Sequence, residues 1–432
     1  MVQNFTFYLR TYGCRVNQYE SQAIREWWIS LGGVETDDAR LADVILVSSC
    51  AVTAQAVSDA RQAVRQLSKI GCPRLITAGC ASTAEPGDFA IPGVFAVIPQ
   101  AEKFVLLQGH PLQMDNFSVG RNDYRYPPFS IKGFRRTRPV VKVQDGCSQG
   151  CAYCIVPLTR GPARSRPVQD IIAEVRRLFA AGYREIMLSG INLRQYHADS
   201  GQGRNFWSLL RCLDAEFAPE WQGRARFRPS SLDPAQITTQ EGLETLGGCC
   251  MLCPHVHLSL QSGSMSVLKR MGRSPYSPQE IAEAVSQLQK AWPIMGLGAD
   301  ILMGFPGEND AEVEETLELI AALPMTYAHV FPYSIRPGTA AAALPGQLSK
   351  AEKHEHARLA RLLVEEKKRA FLQKLLSVNS MRIAFDGESA FHGVNEWYAD
   401  CRMEDGETFC SSAHELVTCT PVRLDGDVLI VK

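Results

Sequence analysis

Cys147, Cys151 and Cys154 stand at the spacing C-x3-C-x2-C inside the segment VKVQDGCSQGCAYCIVPLTRG. Three thiolates on a short glycine-containing loop suit a soft metal. Zinc sites normally close with four protein ligands, whereas three cysteines can hold three irons of a [4Fe-4S] cube and leave the fourth iron open to another molecule. A zinc or purely structural cluster is the competing reading, and the missing fourth ligand counts against it. Three further cysteines, Cys14, Cys50 and Cys80, each follow an apolar run: FTFYLRTYG, DVILVSS and RLITAG. Taken singly, each is equally well a small buried residue near a strand end.

The surrounding pattern says what must position these thiols. The three apolar runs read as buried strands. Between them, SQAIREWWISLG from Ser21 and SDARQAVRQLSKI from Ser58 have helical spacing, each with a serine as candidate N-cap. Parallel strands joined by right-handed crossovers point the same way. Residues 1–120 are therefore expected to form a flavodoxin- or Rossmann-like parallel sheet domain, with the three cysteines converging at the carboxyl edge where open α/β sheets bind ligands. A linker over 121–138 follows. The stretch 118–142 holds Arg121, Arg125, Lys132, Arg135, Arg136, Arg138 and Lys142 against the single acidic Asp123, so it is a candidate for contact with nucleic-acid phosphates.

From Pro139 a second rhythm begins, with candidate strands at PVVKVQDG, REIMLSG, RARFRPSS, HVHLSLQSG, GLGADILMG and YAHVFPYS. Six strand-helix repeats predict a partial (β/α)6 barrel over 139–376, ending in a charged helical stretch from Ser349 to Leu376. Barrel chemistry sits at the carboxyl-terminal rim, and these strands end in polar or glycine-rich groups such as SGIN, SSLDP, QSG and MGFPGE. The remaining residues, 377–432, read as short strands of a small β-barrel. From Met381 to Lys432 ten acidic residues face four basic ones, which points to a role in shape or protein contacts instead of phosphate binding.

A length of 432 residues fits two or three domains, and a net charge of -1 requires any nucleic-acid footprint to be local. No apolar run reaches the roughly 18 residues of a membrane span. The start, MVQNFTFYLR, lacks the features of a secretory signal, so a cytoplasmic enzyme without membrane contact is expected. Fourteen cysteines in such a compartment favour metal binding or catalysis over disulfides.

The C-x3-C-x2-C motif with Tyr153 before its last cysteine resembles the hallmark of the radical S-adenosylmethionine (SAM) superfamily. That resemblance implies that SAM chelates the open iron and is cleaved to a 5'-deoxyadenosyl radical. Together with it, TYGCRVNQYES, SSCAVT and TAGC resemble the three N-terminal cysteine motifs of the methylthiotransferase family, whose barrel motifs are matched in order by LSGINL, RFRPSSLDP, HLSLQSGSMSVLKRMGR, DILMGFPGE and HVFPYSIRPGTAA. The resemblance spans nearly the whole chain. It implies two [4Fe-4S] clusters, held by Cys14, Cys50 and Cys80 and by Cys147, Cys151 and Cys154, two roles for SAM, and a C-terminal TRAM-like β-barrel.

Within the family the chain is most similar to the branch that converts N6-threonylcarbamoyladenosine at tRNA position 37 to its 2-methylthio derivative, because Arg15, Val16, Asn17, Gln18, Tyr19 and Glu20 follow its pattern. Ser48 and Ser49 depart from the Asn-Thr pair common before the second cysteine. Methylthiolation of isopentenyladenosine or of a ribosomal-protein aspartate, and an iron-sulfur RNA-binding redox sensor without chemistry, stay open as alternatives. The resemblance implies as partners a tRNA anticodon stem-loop, a low-potential electron donor such as flavodoxin or ferredoxin, and a sulfur donor.

Further candidates follow from position. Asn17, three residues beyond Cys14, is a candidate to line the sulfur site as a catalytic residue, its ordinary alternative being a local turn hydrogen bond. Tyr153, Gly190, Asn192, Ser231 and Gln261 lie at the cluster loop or the barrel rim as candidate SAM contacts, although glycines and polar residues after a strand often simply make the turn. Arg160, Arg164 and Arg166 are candidates for tracking tRNA phosphates. Cys249, Cys250 and Cys253 have partial ligand spacing but no further ligand set, and they are read as ordinary thiols with Cys72, Cys212, Cys401, Cys410 and Cys419.

Overall fold

Strand β1 (Phe5–Thr11) begins a chain described by a computed structural model at residues 4–72, 74–113, 126–197, 205–273, 276–386, 392–404 and 414–432. Arg121, Asp123 and Arg125 of the linker, and Cys410, lie outside the described residues. Two compact units emerge. The first comprises residues 1–132, 144–166 and 334–342, and the second 133–143, 167–333 and 343–432.

In the first unit β1 is followed by α1 (Arg15–Ser30), β2 (Gly33–Glu35), β3 (Val44–Ser49), α2 (Ala54–Leu67), β4 (Arg74–Gly79), α3 (Cys80–Ala84) and β5 (Ala96–Pro99). The five strands form one sheet in the order β2-β1-β3-β4-β5, every pair parallel. This is the flavodoxin-like order expected from the strand-helix rhythm, and its switch point falls between β1 and β3. Strand β3 is buried along its whole length, as a central strand covered on both faces must be. Ile45, Val47, Val57, Ala60, Val64 and Leu75 pack together where α2 covers the sheet.

The helix starts differ from the sequence expectation. Helix α1 begins at Arg15 with Cys14 as its N-cap residue, and Ser21 is a buried interior position. Helix α2 begins at Ala54, with Thr53 instead of Ser58 as the cap, its hydroxyl accepting from the Ala56 amide at 3.2 Å. For α1 the reason is physical: its first two turns bury Asn17, Glu20 and Ser21, polar residues that break an apolar pattern yet sit inside.

The second unit contains the six expected strands. Val140–Lys142, Glu185–Ser189 and Arg226–Pro229 form one parallel sheet; His255–Gln261, Gly296–Met303 and Tyr327–Pro332 form another. Parallel bridges at Phe227 with Leu252 and at Leu232 with Leu258 connect the two halves. The connecting helices carry explicit start signals. Ser277 with Glu280, and Asn309 with Glu312, form reciprocal capping boxes ahead of Pro278–Ala291 and Asp310–Ala322. The long helix Lys350–Leu375 has the same device at Ser349 and Glu352.

The six C-terminal strands form one sheet in the order Leu416–Cys419, Met381–Phe385, His392–Asn395, Asp400–Met403, Val428–Val431, Pro421–Asp425. Its two edge strands are separated in sequence by Thr420 alone. Laid flat, edges five spacings apart would be roughly 24 Å from each other, so one connecting residue obliges the sheet to curl.

A buried ionic cluster joins this sheet to the barrel strands within the second unit. Glu185 accepts from Arg226 Nε at 2.6 Å and from Arg228 Nε at 2.8 Å. The same guanidiniums donate to the carbonyls of Arg382, Asn395 and Glu396 at 2.9 to 3.0 Å. Burial alone would raise the Glu185 pKa, but Arg226 and Arg228 outweigh it and hold the carboxyl well below the usual carboxylate range. Replacing Glu185 by alanine strands two buried cations and is expected to cost about 3–5 kcal/mol, read by urea unfolding; a loss under about 1 kcal/mol would refute this role. In the native protein this contribution is complete above the unfolded glutamate value of roughly 4.3 and is lost as the pH falls below it.

Candidate metal centre

The three early cysteines lie just beyond the carboxyl ends of three neighbouring strands, Cys14 three residues after β1 and Cys50 and Cys80 directly after β3 and β4. Thr11 of β1 lies beside Ser48 of β3, and Ser49 of β3 beside Gly79 of β4, so Cys14, Cys50 and Cys80 leave the sheet at one level. Gly13 has φ +88, and a Cβ placed there would lie 2.2 Å from Cys50 Cβ and 2.4 Å from its Sγ. Only glycine allows so close an approach. A hydrogen bond joins the thiols of Cys14 and Cys50; with burial it pushes Cys14 well up, and it pulls Cys50 down. Burial raises Cys80, while the guanidinium of Arg160 pulls both Cys80 and Cys14 the other way.

Cys147, Cys151 and Cys154 lie on a loop that belongs to the same compact unit. Its base is the two-residue antiparallel ladder of Gln144–Asp145 with Arg164–Ser165. Gly146 at φ +67 turns the chain where a Cβ would meet the Pro162 carbonyl at 2.0 Å. The Cys147 amide donates to the Gly161 carbonyl at 3.0 Å, the Cys154 amide to the Cys151 carbonyl at 3.0 Å, and the Gln149 amide to Cys147 Sγ at 3.4 Å. Hydrogen bonds to the sulfurs of an iron-sulfur site are among the factors that set its cluster's potential.

Both donor sets fit an iron-sulfur cube better than a single ion. Among the described residues the one three-donor group that closes on a point is His257, Asp300 and His329, whose ligand atoms lie within 4.8 Å of one another; neither cysteine set does so. A zinc ion needs all its donors around one centre. A cube offers each cysteine a separate iron, so convergence on one point is not required.

Asn17 is buried, and its side chain is fully engaged. Its amide nitrogen donates to the carbonyls of Tyr12 at 2.7 Å and Ser48 at 3.3 Å; its oxygen accepts from Ser48 Oγ at 2.8 Å and Lys103 Nζ at 2.5 Å. It thereby ties the exit of β1 to the exit of β3. Tyr153 is half-buried in the cluster loop. In the second unit, Gly190 follows the strand Glu185–Ser189, and Asn192 caps a short turn by accepting from the Arg194 amide at 3.1 Å. Ser231 Oγ donates to Asp300 Oδ2 at 3.3 Å. Gln261 ends its strand at φ +67, beside an irregularity in register. A non-glycine residue in that region is strained and tends to occur at functional positions.

Two expectations about arginines need correction. Arg160 and Arg166 do not reach solvent: both are at least 96% buried, Arg160 paired with Glu20 and Asp145 and Arg166 donating to Tyr19 Oη at 3.1 Å. A side chain so enclosed cannot follow a phosphate backbone. Lys142 is buried as well, so the exposed cations of the described basic stretch reduce to Lys132, Arg135 and Arg136. Cys249 and Cys253 carry thiols pushed up by burial, to about 12 and about 11, which is the state of unreactive cysteines.

Sequence reasoning missed Lys103, Gln100 and the His257, Asp300 and His329 group. Lys103 is a lone cation in the apolar run AEKFVLL, and Asp300 a lone carboxylate in GLGADILM; a single charge inside a buried pattern was the available signal. His257 Nε2 lies 3.1 Å from Asp300 Oδ1, and its Nδ1 lies 2.9 Å from Tyr327 Oη. A cavity of about 630 Å³ nearby is lined by Arg138, Tyr327, His329, Phe331, Arg361 and Tyr398 among others.

Comparison with known proteins agrees with this chemistry. Residues 141–320 match the Radical SAM superfamily and residues 6–92 match the Uncharacterized protein family UPF0004. The chain is 36% identical over 347 residues to the threonylcarbamoyladenosine tRNA methylthiotransferase MtaB of Chlamydia pneumoniae, covering 79% of this chain and 78% of that one. The chain belongs to the radical SAM methylthiotransferase family. The MtaB enzyme of Bacillus subtilis is 34% identical over 81% of this chain and 78% of its own length. A second branch, represented by the tRNA-2-methylthio-N(6)-dimethylallyladenosine synthase of Sphingopyxis alaskensis, is 31% identical over 85% and 83%. Among solved structures, the radical SAM methyltransferase TsrM of Kitasatospora setae superposes with a TM-score of 0.56 at 15% identity, covering 79% of this chain and 77% of that one, a likeness of fold.

A methylthiotransferase of this family works with SAM and two [4Fe-4S] clusters. Gly13→Ala should drive a methyl group into Cys50 and remove roughly half of the iron and sulfide, leaving the visible spectrum of the cluster on Cys147, Cys151 and Cys154. Full iron in that variant would show that the close approach of Gly13 to Cys50 is not needed for the early cysteines to hold their cluster.

Proposed function

We propose that this enzyme converts N6-threonylcarbamoyladenosine at position 37 of tRNA to its 2-methylthio derivative. The reaction class rests on one observation: two sets of three cysteines, Cys14, Cys50 and Cys80 and Cys147, Cys151 and Cys154, in a single compact unit. The base identity rests on the likeness to the relatives from Chlamydia pneumoniae and Bacillus subtilis whose names give that nucleoside. The synthase of Sphingopyxis alaskensis supports dimethylallyladenosine as the second reading.

In this reading Cys147, Cys151 and Cys154 hold the cluster that meets SAM, and Cys14, Cys50 and Cys80 hold the cluster that carries sulfur. When bound, these groups supply the low-potential electron, the hydrogen abstraction and the methylated sulfur. The protein's own residues position and shield. Asn17 fixes the two strand exits that carry Cys14 and Cys50. Tyr153, Gly190, Asn192, Ser231 and Gln261 are assigned to contacts with SAM. Lys132, Arg135 and Arg136 face solvent and are assigned to phosphates of the anticodon stem-loop. The cavity beside Tyr327 and Phe331 combines aromatic faces with Arg138 and Arg361, a mixture suited to a nucleotide. The functional layout is an N-terminal domain over 1–120, a linker over 121–138, a radical SAM barrel over 139–376 and a TRAM-like β domain over 377–432. A reduced flavodoxin or ferredoxin would serve as electron donor, with a separate sulfur donor, in the cytoplasm. No helix among the described residues is long and apolar enough to cross a membrane.

Nucleosides from a strain lacking the gene should contain N6-threonylcarbamoyladenosine without its 2-methylthio form, and the native gene should restore it. Mass spectrometry reads both. Retention of the 2-methylthio-threonylcarbamoyl nucleoside, with loss of the 2-methylthio-isopentenyl one, would move the enzyme to the second reading. Failure of the reduced, reconstituted protein to cleave SAM to 5'-deoxyadenosine would reject the radical chemistry altogether.

A further inference from the structure

Four charged side chains lie together inside the first unit, each between 0% and 3% exposed: Glu20, Lys103, Arg160 and Asp145. Arg160 Nη1 stands 2.8 Å from Glu20 Oε1 and 2.9 Å from Asp145 Oδ1. Lys103 Nζ stands 3.0 Å from Glu20 Oε2, 2.7 Å from Ser48 Oγ and 2.5 Å from Asn17 Oδ1. Gln100 Nε2 donates to Glu20 Oε2 at 3.0 Å, and its oxygen faces the Cys80 thiol at 3.9 Å. Burying four charges costs several kcal/mol for each ion before pairing recovers it. A fold that needed only to fill this space would do as well with apolar side chains.

What distinguishes the quartet is its attachment. Glu20 sits six residues beyond Cys14, on the helix that Cys14 begins. Ser48 lies two residues before Cys50, and Gln100 touches Cys80. Asp145 lies two residues before Cys147, and Arg160 six residues after Cys154. The Arg160–Glu20 ion pair therefore connects the segment bearing one cysteine set to the helix bearing the other. Arg160 is also a cation whose charge both Cys14 and Cys80 feel.

We infer that Arg160 and Lys103 are positioning residues that set the redox potential of the cluster on Cys14, Cys50 and Cys80, with Glu20 as the opposing charge. The inference rests on the assignment of that cluster in the proposed function. Reduction adds one negative charge to a site already anionic from three thiolates. A fixed buried cation stabilises the reduced form, and a fixed buried anion opposes it. Low dielectric and the exclusion of bulk salt make each charge count for more than it would at a surface.

The test uses the full chain with Cys147, Cys151 and Cys154 replaced by alanine, so that one cluster gives the whole signal. Iron is counted first, and wild-type early cysteines that hold none would sink the cluster assignment itself. Potentiometric titration followed by electron paramagnetic resonance then reads the potential. Arg160→Gln should lower it by about tenfold in the ratio of reduced to oxidised cluster, equivalent to about 59 mV for one electron. Lys103→Met should move it the same way, Glu20→Gln the opposite way, and Arg160→Lys should restore most of the wild-type value. If Arg160→Gln loses its iron, Lys103→Met and Glu20→Gln carry the test of opposite signs. Unchanged potentials, or shifts of one sign in all charge variants, would overturn the inference, because packing damage has no reason to follow the sign of the charge removed.

Discussion

Parallel strands that end together are the constraint on which the rest of this molecule depends. Cys14, Cys50 and Cys80 are separated by dozens of residues, and no local turn brings them into one neighbourhood. Adjacent parallel pairing of β1, β3 and β4 does so, because equal register places the residues that follow each strand at one edge. The pairing must also hold against the small space between the chains. Gly13 abuts Cys50, so the strands can meet at this spacing only where a side chain is missing.

Much of this was legible in the residues. Apolar runs ending at cysteines identified β1, β3 and β4, and the six barrel strands were visible as apolar runs ending in glycine or polar groups. Burial of charge was not legible. Arginine and lysine are almost never enclosed unless paired, so Arg160 and Arg166 read as surface cations, although their partners Glu20, Asp145 and Tyr19 lie far away in sequence. The true start of α1 was hidden for the same reason. Asn17 and Glu20 are polar, and their long-range partners Ser48, Lys103 and Arg160 explain why they point inward. The polar group of Ser231, His257 and Asp300 likewise depends on side chains from separate strands, with no spacing to reveal it.

The two ionic clusters solve different problems with similar parts. Glu185 with Arg226 and Arg228 has spare donors that reach backbone carbonyls of the C-terminal sheet, so its charges act as fasteners between layers of one unit. The quartet around Glu20 instead pairs chiefly among side chains, with Asp145 also accepting from the Gly146 amide, and Glu20, Asp145 and Arg160 each lie within six residues of a cysteine. In both, removing one member leaves an opposite charge with no water to take its place.

The enclosure of the quartet separates two kinds of electrostatics in one chain. Counter-ions screen exposed cations such as Lys132, Arg135 and Arg136 over about 10 Å at 0.1 M ionic strength, and they cannot enter the space around Arg160. Raising the salt concentration therefore weakens attraction for a polyanion while leaving the interior field as it was, so grip on the macromolecule and tuning of the buried centre respond to the medium independently.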